Sequence, residues 1–546
     1  MAETLSVEAA PEVDVGTGSD WTPVIALDDL VARGRKVVKV GRKQIALFHS
    51  KKGLFACNNR CPHEGYPLVE GSLTSDPQSG NCLLTCNWHN WKFDLESGET
   101  LTGGDALRHY PLRVEDGQVL VDVSDSPSEA RVTEALDNLR DSFHRQEYDR
   151  MAREIARLQA AGGDPLDALR GAIAWTHDKF EFGTEHAHAA TADWLDLRTR
   201  LSGDEAERLV PILEAVANIS YDSLREPRFP YAEGQVPYDP DALVAAIDRE
   251  DEAAALSLLR GALAEGKTAR DLEGPLATAA LAHYQDFGHS AIYVQKTLQL
   301  IDHLGPSVAE PLLLALVRSL IYAWREDLIP EFRSYADRLA AWHGQGIEPV
   351  SAEDFIGLDA ARAMARASES SADRWKLYDA LLGAAAWNWL HFDLAVEDRT
   401  DGPVSDNKSW LSFTHAVTFA NAVRHHCSRH PQLWPAGLLQ IACFVGRNAG
   451  YTDATIDESG WRVDCPEEFI EESLRGLLDH GQSEYILVAH LIKTVSAVRD
   501  EILAAPEAPW VPTLVAATNR FLNSRVKRRH ALRTARQSLS FVALEG

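Results

Sequence analysis

The sequence predicts an α+β multidomain protein, a small antiparallel-β domain followed by a large all-α region. Three features carry this expectation. Over about residues 20–125 apolar and polar residues alternate in short runs bounded by Gly, Asn and Asp. After SDSPSE (Ser124 to Glu129) the texture changes: Ala and Leu dominate, β-branched runs vanish and the apolar period becomes helical. At 546 residues the chain exceeds what one small core can organise, which favours roughly two to four domains.

Residues 1–19 are acidic and lack the basic flank and apolar core of a signal peptide, so they are expected to form a disordered tail. Strand-like alternation then runs through residues 21–50, with VVKV and QIALFHS on either side of a turn at Gly41. GLFACNN leads into CPHEGYPLVEGS, and NCLLTC leads into CNWHNWKFDLESGE. Trp91–Leu95, His109–Val114 and Val119–Val123 complete an antiparallel sheet, with Asp116-Gly117 as a hairpin turn. The all-α region is expected over residues 130–546. Its first helical stretch ends on Gly162 and Gly163, EPRFPYAEGQVPYDPD (residues 226–241) marks a break, and helices with short loops continue to the basic segment VKRRHALRTARQS.

Composition excludes several classes. Hydrophobic content is 45%, and no apolar run has the length of a membrane span. The net charge of −27 disfavours nucleic acid and anionic membranes as partners, while allowing a basic redox partner. Seven cysteines, odd in number and without framework spacing, read as reduced and cytoplasmic. Cys57 and Cys82 each precede another cysteine by four residues and are expected to be core residues.

The stretch from Cys61 to His89 carries the clearest chemistry. Cys61 and His63 form one pair, and Cys86 and His89 another. Two thiolates and two imidazoles suit a Cys2His2 zinc site or a Rieske 2Fe-2S centre, where two cysteines hold one iron and two histidines the other. Each loop here offers one of each, so each loop can reach both irons. With Gly65, Pro67 and Leu68 after the first pair and Trp91, Phe93, Asp94 and Gly98 after the second, residues 20–125 resemble the Rieske family. The resemblance implies a 2Fe-2S cluster on Cys61, His63, Cys86 and His89. Two departures stand out: TSDPQSGN (residues 74–81) looks like an inserted hairpin, and Asn90 occupies a place where the family usually has Gly. The disulfide that joins the two loops in high-potential members is absent. Fewer clamps on the sulfurs imply a lower potential, as in ferredoxin-like or oxygenase-type carriers.

A one-electron centre fused to a large domain suggests an electron acceptor within that domain. The Rieske oxygenases place a mononuclear iron on an N-x2-D-x2-H-x4-H motif. Asn138, Asp141 and His144 fit that spacing, but Asp149 stands in the last place, so the match reads as a solvated helix face. A second constellation is spread over the helices: His177 with His186 and His188, His283 with His289, His391 with His415, and His480 with His490. At helical spacing His186, His283, His289, His415 and His490 each share a face with apolar residues. One such histidine is more often a satisfied core residue than a ligand. Five on separate apolar faces point to a metal site in the helix core, because a buried imidazole must find partners for both nitrogens. Imidazole suits non-haem iron, and the number of ligands on offer allows one or two irons. Glu185, Asp286 and Asp393 are the candidate carboxylates.

GHSAIY (Gly288 to Tyr293), FTHAVT (Phe413 to Thr418) and AHLIK (Ala489 to Lys493) resemble the questin-oxidase-like proteins, helical oxidative enzymes of natural-product pathways. That resemblance implies an oxygenase acting on an aromatic or polyketide-like molecule, with His289, His415 and His490 at the matching positions.

Two functions follow as expectations. The first is a Rieske-containing non-haem iron oxygenase. It would oxidise an organic substrate with O2 and electrons from an external ferredoxin or NAD(P)H-dependent reductase, since no nucleotide-binding fingerprint occurs in its required context. The second is an electron-transfer or redox-sensing protein whose helices are an interaction scaffold. A homo-oligomer is compatible with either.

Overall fold

Four consecutive residues, Ile45 to Phe48, organise the first part of the molecule. All are fully buried, and the two-residue period of a strand sends Ile45 and Leu47 into one apolar cluster and Ala46 and Phe48 into another. The computed structural model describes residues 21–399, 402–524 and 530–545. The expected N-terminal tail and residues 526–529 of the basic segment lie outside the described residues. Two compact units divide the chain, Met1–Asp164 and Pro165–Gly546.

Among its described residues the first unit has ten strands: β1 (Trp21–Ala26), β2 (Arg35–Val40), β3 (Lys43–Ser50), β4 (Gly53–Asn58), β5 (Ser72–Ser75), β6 (Cys82–Thr85), β7 (Lys92–Asp94), β8 (Thr100–Thr102), β9 (Leu112–Glu115) and β10 (Gln118–Asp122). They form three antiparallel sheets in the orders β1-β10-β9, β2-β3-β4 and β5-β6-β7-β8. The β9–β10 turn is the expected Asp116-Gly117, with φ of 49° and 74°, the signs a two-residue hairpin turn requires. Residues 76–81 join β5 to β6 as the expected hairpin, closed by the Asp76 carboxylate accepting the Gln78 N–H at 3.0 Å.

One segment departs from the strand reading. Leu27–Arg33 is a helix, with Asp28 and Asp29 in its first turn, Arg33 in its last and Gly34 in the left-handed region beyond it. These end signals outweigh the alternation. The stretch after the linker is two helices, Ser128–Arg145 and Tyr148–Ala160, separated by Gln146 at φ 55°. Both belong to the first unit, tied by the fully buried Asp105, whose carboxylate accepts from Arg150 and, at 3.3 Å, from Arg153. Arg150 also reaches Asp141 at 2.7 Å, so Asp141 is spent on an ion pair, and His144 is exposed.

The second unit is helical among its described residues, and residues 226–239 carry no regular structure, in line with the break read from the sequence. Its centre is a closed ring of four helices. His186–Arg200 packs on His289–Leu304, which packs on Trp410–Arg429, which packs on Tyr485–Ala504, which returns to the first. Trp389 and Trp410 are fully buried packing residues. No helix among the described residues is long and apolar enough to cross a membrane.

Candidate metal centres

The two loops of the first unit close by the same pair of hydrogen bonds. Cys61 N–H donates to the Tyr66 carbonyl at 2.9 Å and Gly65 N–H to the Cys61 carbonyl at 2.8 Å. Cys86 N–H donates to the Trp91 carbonyl at 2.8 Å and Asn90 N–H to the Cys86 carbonyl at 3.0 Å. The residue four after each cysteine is left-handed, Gly65 at φ 76° and Asn90 at φ 62°. Asparagine is among the few side chains that visit this region routinely, which accounts for Asn90 where glycine is usual.

These closures set four side chains facing one another. The Nδ1 atoms of His63 and His89 are 3.0 Å apart, and the Cys61 and Cys86 thiols are buried beneath them. Burial pushes the Cys61 thiol up to about 11, against the pull of the His63 and Glu64 backbone N–H groups that point at its sulfur. Such N–H groups are the donors a bound thiolate needs. Trp91 stacks on His63 with ring centroids 4.6 Å apart and planes at 14°, and Gly103, at φ 129°, leaves room for that indole where a Cβ would strike it. About a third of each imidazole remains open to solvent, beside the exposed Trp88. Cys57 and Cys82 lie buried in β4 and β6, as expected of core residues.

In the second unit, four of the five apolar-face histidines meet. The His289 Nε2 lies 3.1 Å from that of His186 and 2.9 Å from that of His415, and His490 Nε2 lies 3.4 Å from His415 Nε2. The four come one from each helix of the ring, His186 and His289 as first residues and His415 and His490 from the second turn. Helix N-termini are positive, which disfavours protonated imidazole there.

The tautomers follow from the remaining contacts. His490 Nδ1 donates to the Ile486 carbonyl at 2.6 Å, and His415 Nδ1 to the Leu411 carbonyl. The Asp286 backbone accepts from His289. A neutral imidazole with its proton on Nδ1 has a bare lone pair on Nε2, so His415 and His490 each turn one toward the other rings. Burial, then the charge of Lys493 and the neighbouring rings, hold His186, His415 and His490 well below the usual imidazole value, and His289 down to about 3. Nitrogens bound about 2.1 Å from one ion stand about 3.0–3.4 Å apart in octahedral or tetrahedral arrangements. The three spacings between neighbouring rings, 2.9, 3.1 and 3.4 Å, lie close to that range.

Glu185 and Asp286 flank this point, 3.9 Å from His186 Nδ1 and 3.9 Å from His289 Nδ1. Burial pushes both carboxyls up to about 7. Glu185 also caps its helix, and His188 accepts the Glu185 N–H at 3.3 Å. The His289 helix starts from an unusual backbone, with Asp286, Phe287 and Gly288 at φ 49°, 50° and 76°. Several groups hold it: Asp286 N–H donates to the Trp324 carbonyl at 2.8 Å, Phe287 N–H donates to Glu326 at 3.0 Å, and the Arg447 guanidinium lies 3.9 Å over the Phe287 ring. A Cβ on Gly288 would collide with Phe419, one turn beyond His415.

The remaining predicted ligands stand apart, which corrects the wider set read from the sequence. His177 meets the Ala174 carbonyl at 3.3 Å and stacks near Tyr231. His188 serves the helix cap. His283 bridges Asp327 and Asp248 at 2.7 and 2.9 Å. His391 bonds the Trp387 carbonyl at 2.9 Å and faces Glu458 at 3.4 Å, and His480 meets Glu214 at 3.1 Å. Asp393 caps a helix by accepting the Ala395 N–H at 2.9 Å. All are polar groups satisfied locally, the ordinary fate of a buried histidine.

Two further features were not singled out in the sequence. Lys493, one turn past His490, is buried without a hydrogen-bond partner, and burial depresses it to about 8. Seven residues on from His186 and His289 stand Asp193 and Lys296, a buried ion pair at 2.8 Å. Spacings of three and seven keep these groups on the inward faces of the same helices, a signal obscured by charged residues being read as surface.

Residues 20–122 match the family model of the Rieske-like [2Fe-2S] domain. Through this domain the chain belongs to the Rieske family, and the zinc alternative gives way to a 2Fe-2S cluster. The chain is 33% identical over 111 residues to the ferredoxin component of the alkene monooxygenase system of Xanthobacter autotrophicus, covering 87% of that protein and 20% of this chain. It is 32% identical over 104 residues to the ferredoxin subunit of 3-phenylpropionate/cinnamic acid dioxygenase of Photorhabdus laumondii, covering 93% of it and 19% of this chain. It is 26% identical to the ferredoxin component of naphthalene 1,2-dioxygenase of Pseudomonas putida, covering 96% of it and 19% of this chain.

Proposed function

We propose that the chain is an oxygenase with its electron carrier built in. In this reading Cys61, His63, Cys86 and His89 hold the 2Fe-2S cluster, and His186, His289, His415 and His490 hold a single non-haem iron. The observation that carries it is the meeting of four imidazole Nε2 atoms from four helices. When bound, the cluster supplies single electrons and the iron supplies O2 activation.

The protein's own groups then have defined tasks. The carbonyls of Leu411 and Ile486 fix the tautomers of His415 and His490, so that Nε2 is always ready to bind. Glu185 and Asp286, partly exposed at the rim, are suited to take up or release a proton near neutral pH. His186 and His289 are the more exposed pair, so substrate approaches from their side. The exposed Phe182, Tyr322 and Trp324 neighbour the segments that carry them, which favours a flat aromatic substrate. The resemblance of the segments around His289, His415 and His490 to questin-oxidase-like proteins agrees with an aromatic or polyketide-like molecule. An external reductase or ferredoxin is the electron source.

The test is O2 uptake by the iron-loaded protein with a ferredoxin–reductase pair and a panel of hydroxylated aromatics. Substrate-dependent uptake that His289→Ala abolishes, with the cluster still reducible, is expected. The similarity to free-standing ferredoxins favours a second reading, an electron carrier with a helical scaffold. That reading takes over if no substrate stimulates uptake and His289→Ala changes nothing.

A further inference from the structure

The helices Ser128–Arg145 and Tyr148–Ala160 lie beyond residue 122, where the family match ends, yet they belong to the first unit. They pack on each other as a hairpin, with Leu139 and Phe143 on one helix and Met151, Ile155 and Leu158 on the other all buried. Arg150, Arg153 and Arg157 share a face of the second helix, and all three converge on the fully buried Asp105. Arg150 is 4% exposed and holds four acceptors: Asp105, Asp141 at 2.7 Å, Glu147 at 2.9 Å and the Gly104 carbonyl at 3.0 Å. From there a short path leads to a cluster ligand. The guanidinium packs against Gly104, where a Cβ would stand 3.0 Å from it. The residue before, Gly103, lies against the Trp91 indole, and Trp91 stacks on His63. The Thr100 hydroxyl donates to the Asp105 carbonyl, so the loop is held from both sides. A rim ion pair would anchor two helices. Here the anchor is buried and set on the loop that backs a ligand's stacking partner.

We propose that the hairpin is a clamp that sets the reduction potential of the 2Fe-2S cluster, with Arg150 a positioning residue acting through Gly104, Gly103 and Trp91 on His63. Reduction adds one negative charge to the cluster, and water near its ligands stabilises that charge. An indole held flat on the His63 ring keeps water off one face and holds the potential down. Loosening the clamp lets the indole tilt, admits water and raises the potential. The clamp lies within the first unit, so it operates whether the second unit is an oxygenase or a scaffold.

The experiment is a redox titration of the full chain at fixed pH, followed by the EPR signal of the reduced cluster, with thermal unfolding alongside. Arg150→Lys keeps the charge but loses the planar fork that reaches the Gly104 carbonyl and the carboxylates together. Its potential is expected to shift upward, with altered g-values. Trp91→Leu is expected to shift the potential upward as well. Arg150→Lys added to Trp91→Leu is expected to change nothing further, because the path runs through the indole. Gly104→Ala leaves every charged group in place and only presses on the guanidinium, and it is expected to give a smaller upward shift. An Arg150→Lys variant that loses stability but keeps the wild-type potential overturns the proposal and leaves the hairpin a structural brace. Equal shifts from Arg150→Lys with and without Trp91 also overturn it, since the residue then acts without the indole. Should Arg150→Lys fail to hold a cluster, Gly104→Ala decides alone, and an unchanged potential there overturns the proposal.

Discussion

His289 and His415 approach each other Nε2 to Nε2 at 2.9 Å, and His415 has its Nδ1 engaged with the Leu411 carbonyl, so its Nε2 carries no proton in the neutral form. That bare lone pair is satisfied either by a proton on the facing ring or by a cation held between the two. Burial and the nearby Lys493 oppose the charged form of both rings, and a metal ion shared by them is what the proposed function calls for.

Removal of the metal should therefore destabilise the second unit. Chelation is expected to lower its melting temperature, with the difference growing with metal concentration as linkage requires. Thermal scans with and without ferrous or zinc ion measure it. His415→Ala should respond to neither.

Acid should act through the same rings. Each of the four has a folded value below its unfolded one, so from about 6.5 downward the unfolded chain binds more protons and the metal-free fold loses stability as pH falls. Denaturant titrations of metal-free protein across pH 7 to 5 are expected to show a decline that becomes shallower in His186→Gln.

Lys493 gives a separate signature. Its folded value of about 8 lies below the ordinary lysine value, so stability rises with pH between about 8 and 10.5. Its ammonium also competes with a metal ion for the four imidazoles. Metal affinity should rise as pH passes upward through about 8, and Lys493→Met should remove that step. Competition titrations with a chromogenic chelator read both.

Gly288→Ala should damage the site from outside it. The left-handed φ and the collision with Phe419 together cost on the order of 1–3 kcal/mol. The expected result is a lower melting temperature and weaker metal retention, with the cluster spectrum unchanged because the substitution lies in the second unit.

In the first unit, Asp105→Ala leaves the buried Arg150 without one of its partners and should cost about 3 kcal/mol. Urea unfolding followed through the cluster absorbance checks it.

Much of this was legible in the sequence. The Cys61–His89 spacing and the strand period together identify the first unit, because loop closures and alternation are local. The four meeting histidines were visible only as inward-facing singles. Helical period says which face a residue occupies, but which faces share a centre depends on the order of helices in space. His283 shows the limit, since it lies on an apolar face yet bridges two aspartates. Leu27–Arg33 lies inside a strand-like alternation, and its helical end signals, Asp28, Asp29 and Gly34, stand out only once the helix is seen. Lys493 and Asp193 escaped because a buried charge has no pattern of its own until a neighbour is known.

Iron and acid-labile sulfide in anaerobically purified protein, wild type beside His415→Ala, test the central claim most directly. The account predicts about three irons and two sulfides per wild-type chain, and about two irons with two sulfides and an unchanged cluster signal in the variant. Two irons in both, with equal stability, would contradict it and leave the four histidines a structural cluster.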